Sequence, residues 1–222
     1  MCIVRLDNVR KDYQLGKITL QALKGINLIV EAGEFLAIAG PSGSGKTTAL
    51  NLIGCIDKPT AGQVHIDSME TSGLSSDQLA DIRAHKLSFI FQNFNLLPVL
   101  TALENVEYPL LHRRLAPLQK RQMAEAALES VGLANFGGHR PLELSGGQQQ
   151  RVAIARAIVA SPLLVLADEP TANLDRATGE EILNLMKKIN SEKKTTFIFS
   201  THDQRIIDKA NRVVWLADGA IV

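Results

Sequence analysis

The sequence predicts an α/β protein: a mostly parallel sheet covered on both faces, interrupted by a helical insertion. Three observations carry that prediction. Short apolar runs, among them Phe35-Leu36-Ala37-Ile38, Leu163 to Ala167 and Thr196 to Phe199, stand between turn residues and read as buried strands. The first two are followed by segments whose apolar residues recur at helical spacing. From about Asn93 to Ala160 the pattern is mostly helical, with no strand of that kind.

Taken in order, residues 2–6 and 26–38 read as short strands, the latter broken by the turn Ala32-Gly33. Lys46 to Ile56 reads as a helix on the spacing of Leu50, Ile53 and Ile56, and Val64-His65-Ile66 as a further strand. Within the insertion, Met123, Ala127, Leu128 and Val131 share one helical face, and Gly132 follows as a stop. A second inserted helix runs from about Gly147 to Ala160. The strand Leu163 to Ala167 precedes a helix over about Thr178 to Asn190, carried by Ile182, Leu185, Met186 and Ile189. After the strand Thr196 to Phe199, the chain ends in a hairpin around Asp218-Gly219.

Composition narrows the class. The 222 residues are 45% hydrophobic and 21% charged, which excludes disorder, collagen-like repeats and coiled coil. Lys and Arg total 24 against 23 Asp and Glu, so the chain lacks the basic excess of a dedicated nucleic-acid binder. Two cysteines, Cys2 and Cys55, make neither a disulfide framework nor a four-ligand zinc site, and fit a reducing compartment. The start meets charges at Arg5 and Asp7 too early for a signal-peptide core. No apolar run approaches the roughly 20 residues of a spanning helix, so the chain is expected not to cross a bilayer by itself.

Gly40-Pro41-Ser42-Gly43-Ser44-Gly45-Lys46-Thr47 fits the phosphate-loop pattern G-x-x-x-x-G-K-[ST], with an apolar strand before it and a helix after it. Its glycines let successive N–H groups converge on phosphate oxygens, and the helix adds its positive dipole end. Lys46 reaches the outer phosphates, the Thr47 hydroxyl suits Mg²⁺, and Thr48 extends the ATP-binding set. Leu163-Leu164-Val165-Leu166-Ala167-Asp168-Glu169 adds a buried strand ending in two carboxylates. Asp168 is expected at the metal, and Glu169 as general base on the attacking water.

Those two motifs specify only a P-loop NTPase. With Leu144-Ser145-Gly146-Gly147-Gln148 between them, and with Gln92, Asp175 and His202, the chain resembles the ATP-binding subunit of an ABC transporter. Gly54-Cys55-Ile56-Asp57-Lys58-Pro59-Thr60 and Phe91-Gln92-Asn93-Phe94-Asn95-Leu96-Leu97-Pro98 are similar to the lipoprotein-releasing and macrolide-exporting branch. The resemblance implies a P-loop NTPase core over 1–92 and 161–222, with an N-terminal antiparallel β subdomain, and a helical subdomain over 93–160. It implies ATP and Mg²⁺, and a homodimer closed head to tail in which each signature caps the partner's ATP. Ser145 opening a glycine-rich helix suits that second anion site. Further roles follow from the resemblance: His202 touches the γ-phosphate and acts with Glu169, Gln92 senses Mg²⁺, and Asp175 lies at the dimer interface. Tyr13, in an expected loop Lys11-Asp12-Tyr13-Gln14, is the candidate for stacking on adenine.

The implied partner is an integral membrane permease, which would hold the chain at the cytoplasmic face of a bacterial inner membrane without direct insertion. Phe94, Leu96, Leu97, Pro98, Val99 and Leu100, with Tyr108, are expected to form the groove that receives a short helix of that permease. The basic run His112-Arg113-Arg114 with Lys120-Arg121 reads as a solvated face. An ATPase acting on DNA or ribosomes would carry a coiled-coil insertion or a second cassette, and a nucleotide kinase would not explain the signature. A regulator that uses the same ATPase to control a cell-wall hydrolase differs only in its permease-like partner.

Overall fold

β1 (Cys2–Leu15) and β2 (Ile18–Glu31) form one long antiparallel hairpin, with Cys2 opposite Glu31 and Tyr13 opposite Leu20. Both strands are much longer than the alternation of apolar residues indicates. Register shifts at Leu6/Val9 and Lys11/Asp12 interrupt the two-residue period, so the second half of β1 looks like a loop in the sequence. The computed structural model describes residues 1–16 and 18–222.

β3 (Phe35–Ala39) begins a second sheet and leads into α1 (Lys46–Ile53). This helix ends one turn earlier than its apolar spacing indicates: Gly54 caps it, Cys55 turns at φ 56, and Ile56 is exposed. β4 (Ala61–Ile66) and β5 (Met69–Glu70) complete the first sheet, in the order β2-β1-β4-β5. α2 (Ser76–Lys86) is opened by a capping box between Ser75 and Gln78. It buries only Leu79 and Ile82, too few to give a readable apolar stripe.

β6 (Leu87–Ile90) is followed by three inserted helices, α3 (Ala102–Glu107), α4 (Pro117–Ser130) and α5 (Gly146–Ile158). Gly132, at φ 78, ends α4 as expected. Next come β7 (Leu164–Asp168), α6 (Arg176–Lys193), β8 (Thr196–Thr201) and the short α7 (Gln204–Lys209). The chain closes with β9 (Arg212–Ala217) and β10 (Ala220–Ile221), a hairpin turning at Asp218-Gly219.

The second sheet has the order β10-β9-β3-β8-β7-β6, with every neighbouring pair parallel except β9 and β10. Successive residues of its central strands enter two different cores. Phe35, Ala37, Val165, Phe197 and Phe199 pack with the inserted helices and α6. Leu36, Ile38, Leu164, Leu166 and Ile198 pack with α1 and the first sheet. Burial on both faces is why these strands read as unbroken apolar runs. Arg113, expected in solvent, is half-buried and donates to the carbonyl of Ala160 at 3.3 Å, tying the turn after α3 to the end of the α5 segment.

Candidate functional site

β3, β6, β7 and β8 run in the same direction and end on one edge of the sheet, so four loops leave the core side by side. They carry Gly40 to Thr47, Gln92, Asp168 with Glu169, and His202. Together with Tyr13 and Leu20 of the hairpin they enclose a cleft of about 740 Å³, large enough for a nucleotide.

The loop after β3 is shaped by close backbone approach. A Cβ on Gly40, at φ 154, would overlap the Leu216 carbonyl, and one on Gly45, at φ 104, would lie 2.6 Å from the Ala22 carbonyl. The terminal hairpin fastens the loop in place: Gly219 N donates to Ser44 O at 3.0 Å, and Lys24 N donates to Gly219 O at 2.8 Å. Lys46 is buried, and its Nζ donates to the carbonyls of Gly40 and Pro41, both at 2.8 Å. The hydroxyls of Ser44 and Ser200 are buried without a partner. Pro41, Ser42 and Gly43 form the exposed crest of the loop, and Thr48 lines the cleft on the α1 side.

Thr47 Oγ1 donates to the Asp168 carboxylate, 3.2 Å from one oxygen and 3.3 Å from the other. Among the described residues, no group of three or more His, Cys, Asp and Glu side chains could hold a metal. The donor set here is a hydroxyl and a carboxylate, hard oxygens that suit Mg²⁺ when substrate phosphates and water complete its shell. Gln92 stands exposed beside them and lines the same cleft.

Glu169 sits at φ 45 and turns its carboxylate back toward β8. His202 Nδ1 lies 2.5 Å from its Oε1, and Thr201 Oγ1 donates to its Oε2 at 3.2 Å. His202 stays largely open to the cleft. Tyr13 also faces the cleft, from within β1 rather than from the expected loop. Its hydroxyl donates to Asp57 at 3.0 Å, and the Lys11 ammonium, which pairs with the same carboxylate at 2.7 Å, lies 4.9 Å from the ring centroid. Burial and the bond to Asp57 push the phenol's pKa up.

Leu144, Ser145, Gly146, Gly147 and Gln148 do not join this cleft. Leu144 is buried, while Ser145 caps α5 at the surface. The cap is reciprocal: Gln148 N donates to Ser145 Oγ at 3.3 Å, and Ser145 N donates to Gln148 Oε1 at 2.8 Å. Asp175 is likewise outside the cleft, capping α6 by accepting from Ala177 N and Thr178 N. Hydrogen bonds from Thr178 hold its carboxyl below the usual range.

Several residues that no motif singled out connect these parts. Asn173 Nδ2 donates to the Gln92 carbonyl at 3.0 Å and to Asn93 Oδ1 at 2.9 Å. Arg156 of α5 donates to the carbonyls of Asn95 and Phe94, both of which sit at positive φ. Fully buried Asn105 accepts from Leu97 N and donates to the carbonyls of Leu97, Leu100 and Thr101. These bonds split the apolar run after Gln92: Leu97, Pro98 and Val99 face outward with Tyr108, whereas Leu96 packs on the core.

Residues 23–172 match the family described as ABC transporter. The chain is 48% identical to the uncharacterized ABC transporter ATP-binding protein MJ0796 of Methanocaldococcus jannaschii, covering 99% of this chain and 95% of that one. Its fold matches a dimeric structure of MJ0796 in a post-hydrolysis state bound to ADP and Pi with a TM-score of 0.91, over 99% and 96% of the two chains. It is 48% identical to the lipoprotein-releasing system ATP-binding protein LolD of Anaeromyxobacter dehalogenans, covering 99% and 92%. It is 46% identical to the macrolide export ATP-binding/permease protein MacB of Syntrophobacter fumaroxidans, covering all of this chain but 31% of that one.

Proposed function

The chain belongs to the ABC transporter family, and from that premise we propose that it binds and hydrolyses ATP as a homodimer closed head to tail around two nucleotides, driving a separate membrane permease. One observation carries this reading: the chain holds two phosphate-seeking helix ends, and only one opens on its own cleft. The loop from Gly40 to Thr47 meets Asp168, Glu169 and His202, while Ser145 to Gln148 remain outside. A second copy, rotated by a two-fold axis, would bring its Ser145 helix end over that cleft and receive the reciprocal contact. The dimeric form of MJ0796 supports this assembly.

Within the cleft, Lys46 exchanges its bonds to the Gly40 and Pro41 carbonyls for phosphate oxygens. The loop N–H groups and the α1 dipole hold the same charge. Tyr13 stacks on the base, with its ring kept in place by Asp57 and Lys11. Thr47 and Asp168, with Gln92 beside them, would hold Mg²⁺, which when bound offsets charge on the outer phosphates. Glu169 accepts a proton from the attacking water, and His202 fixes that carboxylate while facing the γ-phosphate. Asp175 stands at the face where the two copies meet. Contacts from Ser145, Gly147 and Gln148 depend on the γ-phosphate, so nucleotide favours the closed dimer and hydrolysis releases it.

No helix among the described residues is long and apolar enough to cross a membrane. In this reading the chain meets a permease on its cytoplasmic side, with residues 93–160 as the helical subdomain that contacts it. Exposed Leu97, Val99 and Tyr108 are the surface it would use. Similarity to LolD and MacB supports export or lipoprotein release as the coupled process. No observation favours control of a cell-wall hydrolase instead.

The test is the solution mass of Glu169→Gln with and without ATP in the absence of Mg²⁺, beside the ATPase activity of the unaltered chain. A monomer that doubles only with ATP is expected. A chain that stays monomeric with ATP, and shows no turnover without the substitution, would overturn the reading. Leu97→Asp with Val99→Asp should abolish co-purification with the permease and leave ATP-driven dimerisation intact.

A further inference from the structure

Gln150, on the second turn of α5, has no exposed surface. Its Nε2 donates to the Pro170 carbonyl at 2.7 Å, while its Oε1 is buried without a partner. A buried amide used on one side only contributes little net stability, because the bond to Pro170 is offset by its own stranded acceptor. What the bond does is hold the backbone one residue beyond Glu169.

That backbone needs holding. Glu169 precedes a proline and adopts φ 45, a left-handed conformation that a non-glycine residue keeps only where its surroundings impose it. Glu169 N donates to Ser200 O at 2.9 Å, Ala172 N donates to Glu169 O at 3.2 Å, and Thr171 Oγ1 donates to Asp203 Oδ2 at 2.8 Å. These three bonds tie the turn to itself and to the end of β8. The bond from Gln150 ties it to α5, whose N-terminus begins five residues earlier at Ser145.

We propose that Gln150 is a positioning residue that links the two nucleotide sites of the dimer. Resting on the roles proposed above, it joins the helix end that faces the partner's ATP to the carboxylate that faces this chain's own ATP. A shift of α5 as it closes on the partner's nucleotide is passed through Gln150 to Pro170 and hence to Glu169. Occupancy of one site thereby adjusts hydrolysis at the other, without a change in nucleotide affinity.

The experiment is a double-mutant cycle on the full chain with Mg²⁺ and ATP, using Gln150→Met and Glu169→Gln, singly and together. Hydrolysis is followed in steady state and in single turnover, and thermal unfolding in parallel. Gln150→Met should lower kcat about 10- to 100-fold, the scale of a small misplacement at a reacting centre, and leave KM within about twofold. Its Tm should change little, since the stranded amide oxygen is removed while the Pro170 carbonyl loses its donor. In the Glu169→Gln background the same substitution should cost nothing further. An equal fractional loss in both backgrounds, or unaltered kcat, would overturn the proposal. Gln150→Leu repeats the cycle where methionine lowers Tm, with the same criteria. Full activity of Glu169→Gln by itself would overturn the proposed role of Glu169, a separable failure.

Discussion

His202 Nδ1 and Glu169 Oε1 are 2.5 Å apart, although the two residues are 33 positions apart in the chain. The carboxylate is mostly enclosed and the imidazole mostly open. β7 and β8 are adjacent parallel strands with Asp168 opposite Ser200, so the residues that follow each strand meet at the sheet edge. The two side chains therefore form one bonded pair, with the enclosed partner held and the open one facing the cleft.

Non-additivity is the expected kinetic result. Glu169→Gln and His202→Ala should each lower kcat by about 100-fold or more, the scale of a lost acid–base group. The double variant should fall little below the poorer single one, because each acts through the other. Steady-state and single-turnover hydrolysis of the four proteins checks this, and full additivity would separate the two roles.

Lys46 Nζ donates to the Gly40 and Pro41 carbonyls, bonds that it is proposed to exchange for phosphate oxygens. Lys46→Ala removes charge-assisted bonds of about 1.5–3 kcal/mol, so ATP affinity should fall about 10- to 100-fold. Calorimetric titration with ATP measures it directly. Unchanged affinity would show that the ammonium stays on Gly40 and Pro41 when nucleotide is bound.

Gly147 faces Thr178 of α6 so closely that an added Cβ would lie 2.5 Å from the threonine methyl. The Thr178 backbone N–H donates to Asp175 Oδ1 at 3.1 Å, which fixes the start of α6 against α5. Gly147→Ala should therefore displace the start of α5 and weaken ATP-driven dimerisation in the Glu169→Gln background. Thr178→Ser removes the methyl and keeps the hydroxyl, so adding it to Gly147→Ala should restore the dimer. Analytical ultracentrifugation with ATP distinguishes the two outcomes.

Asp203 accepts from Thr171 Oγ1 and from the Arg205 backbone and guanidinium. Burial alone would raise its pKa, but the bonds from Arg205 and Thr171 outweigh it and hold the carboxyl below the ordinary 3.8. A depressed folded pKa stabilises the protein above the ordinary value, and that contribution disappears as pH falls through the folded one. Asp203→Asn should lower Tm at pH 7 by about 3–6 °C, from about 1.5 kcal/mol for a charge-assisted bond. The gap should close progressively below about pH 4. Thermal melts across pH 3 to 7 test it; a gap independent of pH would mean that packing, not charge, is lost.

Much of this arrangement is legible in the sequence. Strands β3, β7 and β8 announce themselves because burial on both faces leaves no room for polar residues. The phosphate loop and the Asp168-Glu169 pair are equally plain, since each packs its chemistry into consecutive residues. The hairpin of β1 and β2 is only partly legible because bulges break its alternation. α2 leaves no stripe in the sequence because it rests only two side chains on the core. Leu96 and Leu97 look alike in sequence, yet Asn105 organises the loop so that one packs inward and the other faces out.

By itself, then, the sequence determined which chemistry the chain carries: one phosphate loop, one acidic strand end and one capped glycine-rich helix, each a local pattern of neighbouring residues. Tertiary structure alone decided which of them share a cleft. Parallel strand order brings Gly40, Gln92, Asp168, Glu169 and His202 to one edge, while α5 leaves Ser145 facing away from it. The contacts that join these parts, Gln150 to Pro170, Asn173 to Gln92 and Arg156 to Phe94, span 20 to 81 positions in the chain. Such pairs leave no periodicity or motif, because each depends on the path of the backbone between its partners.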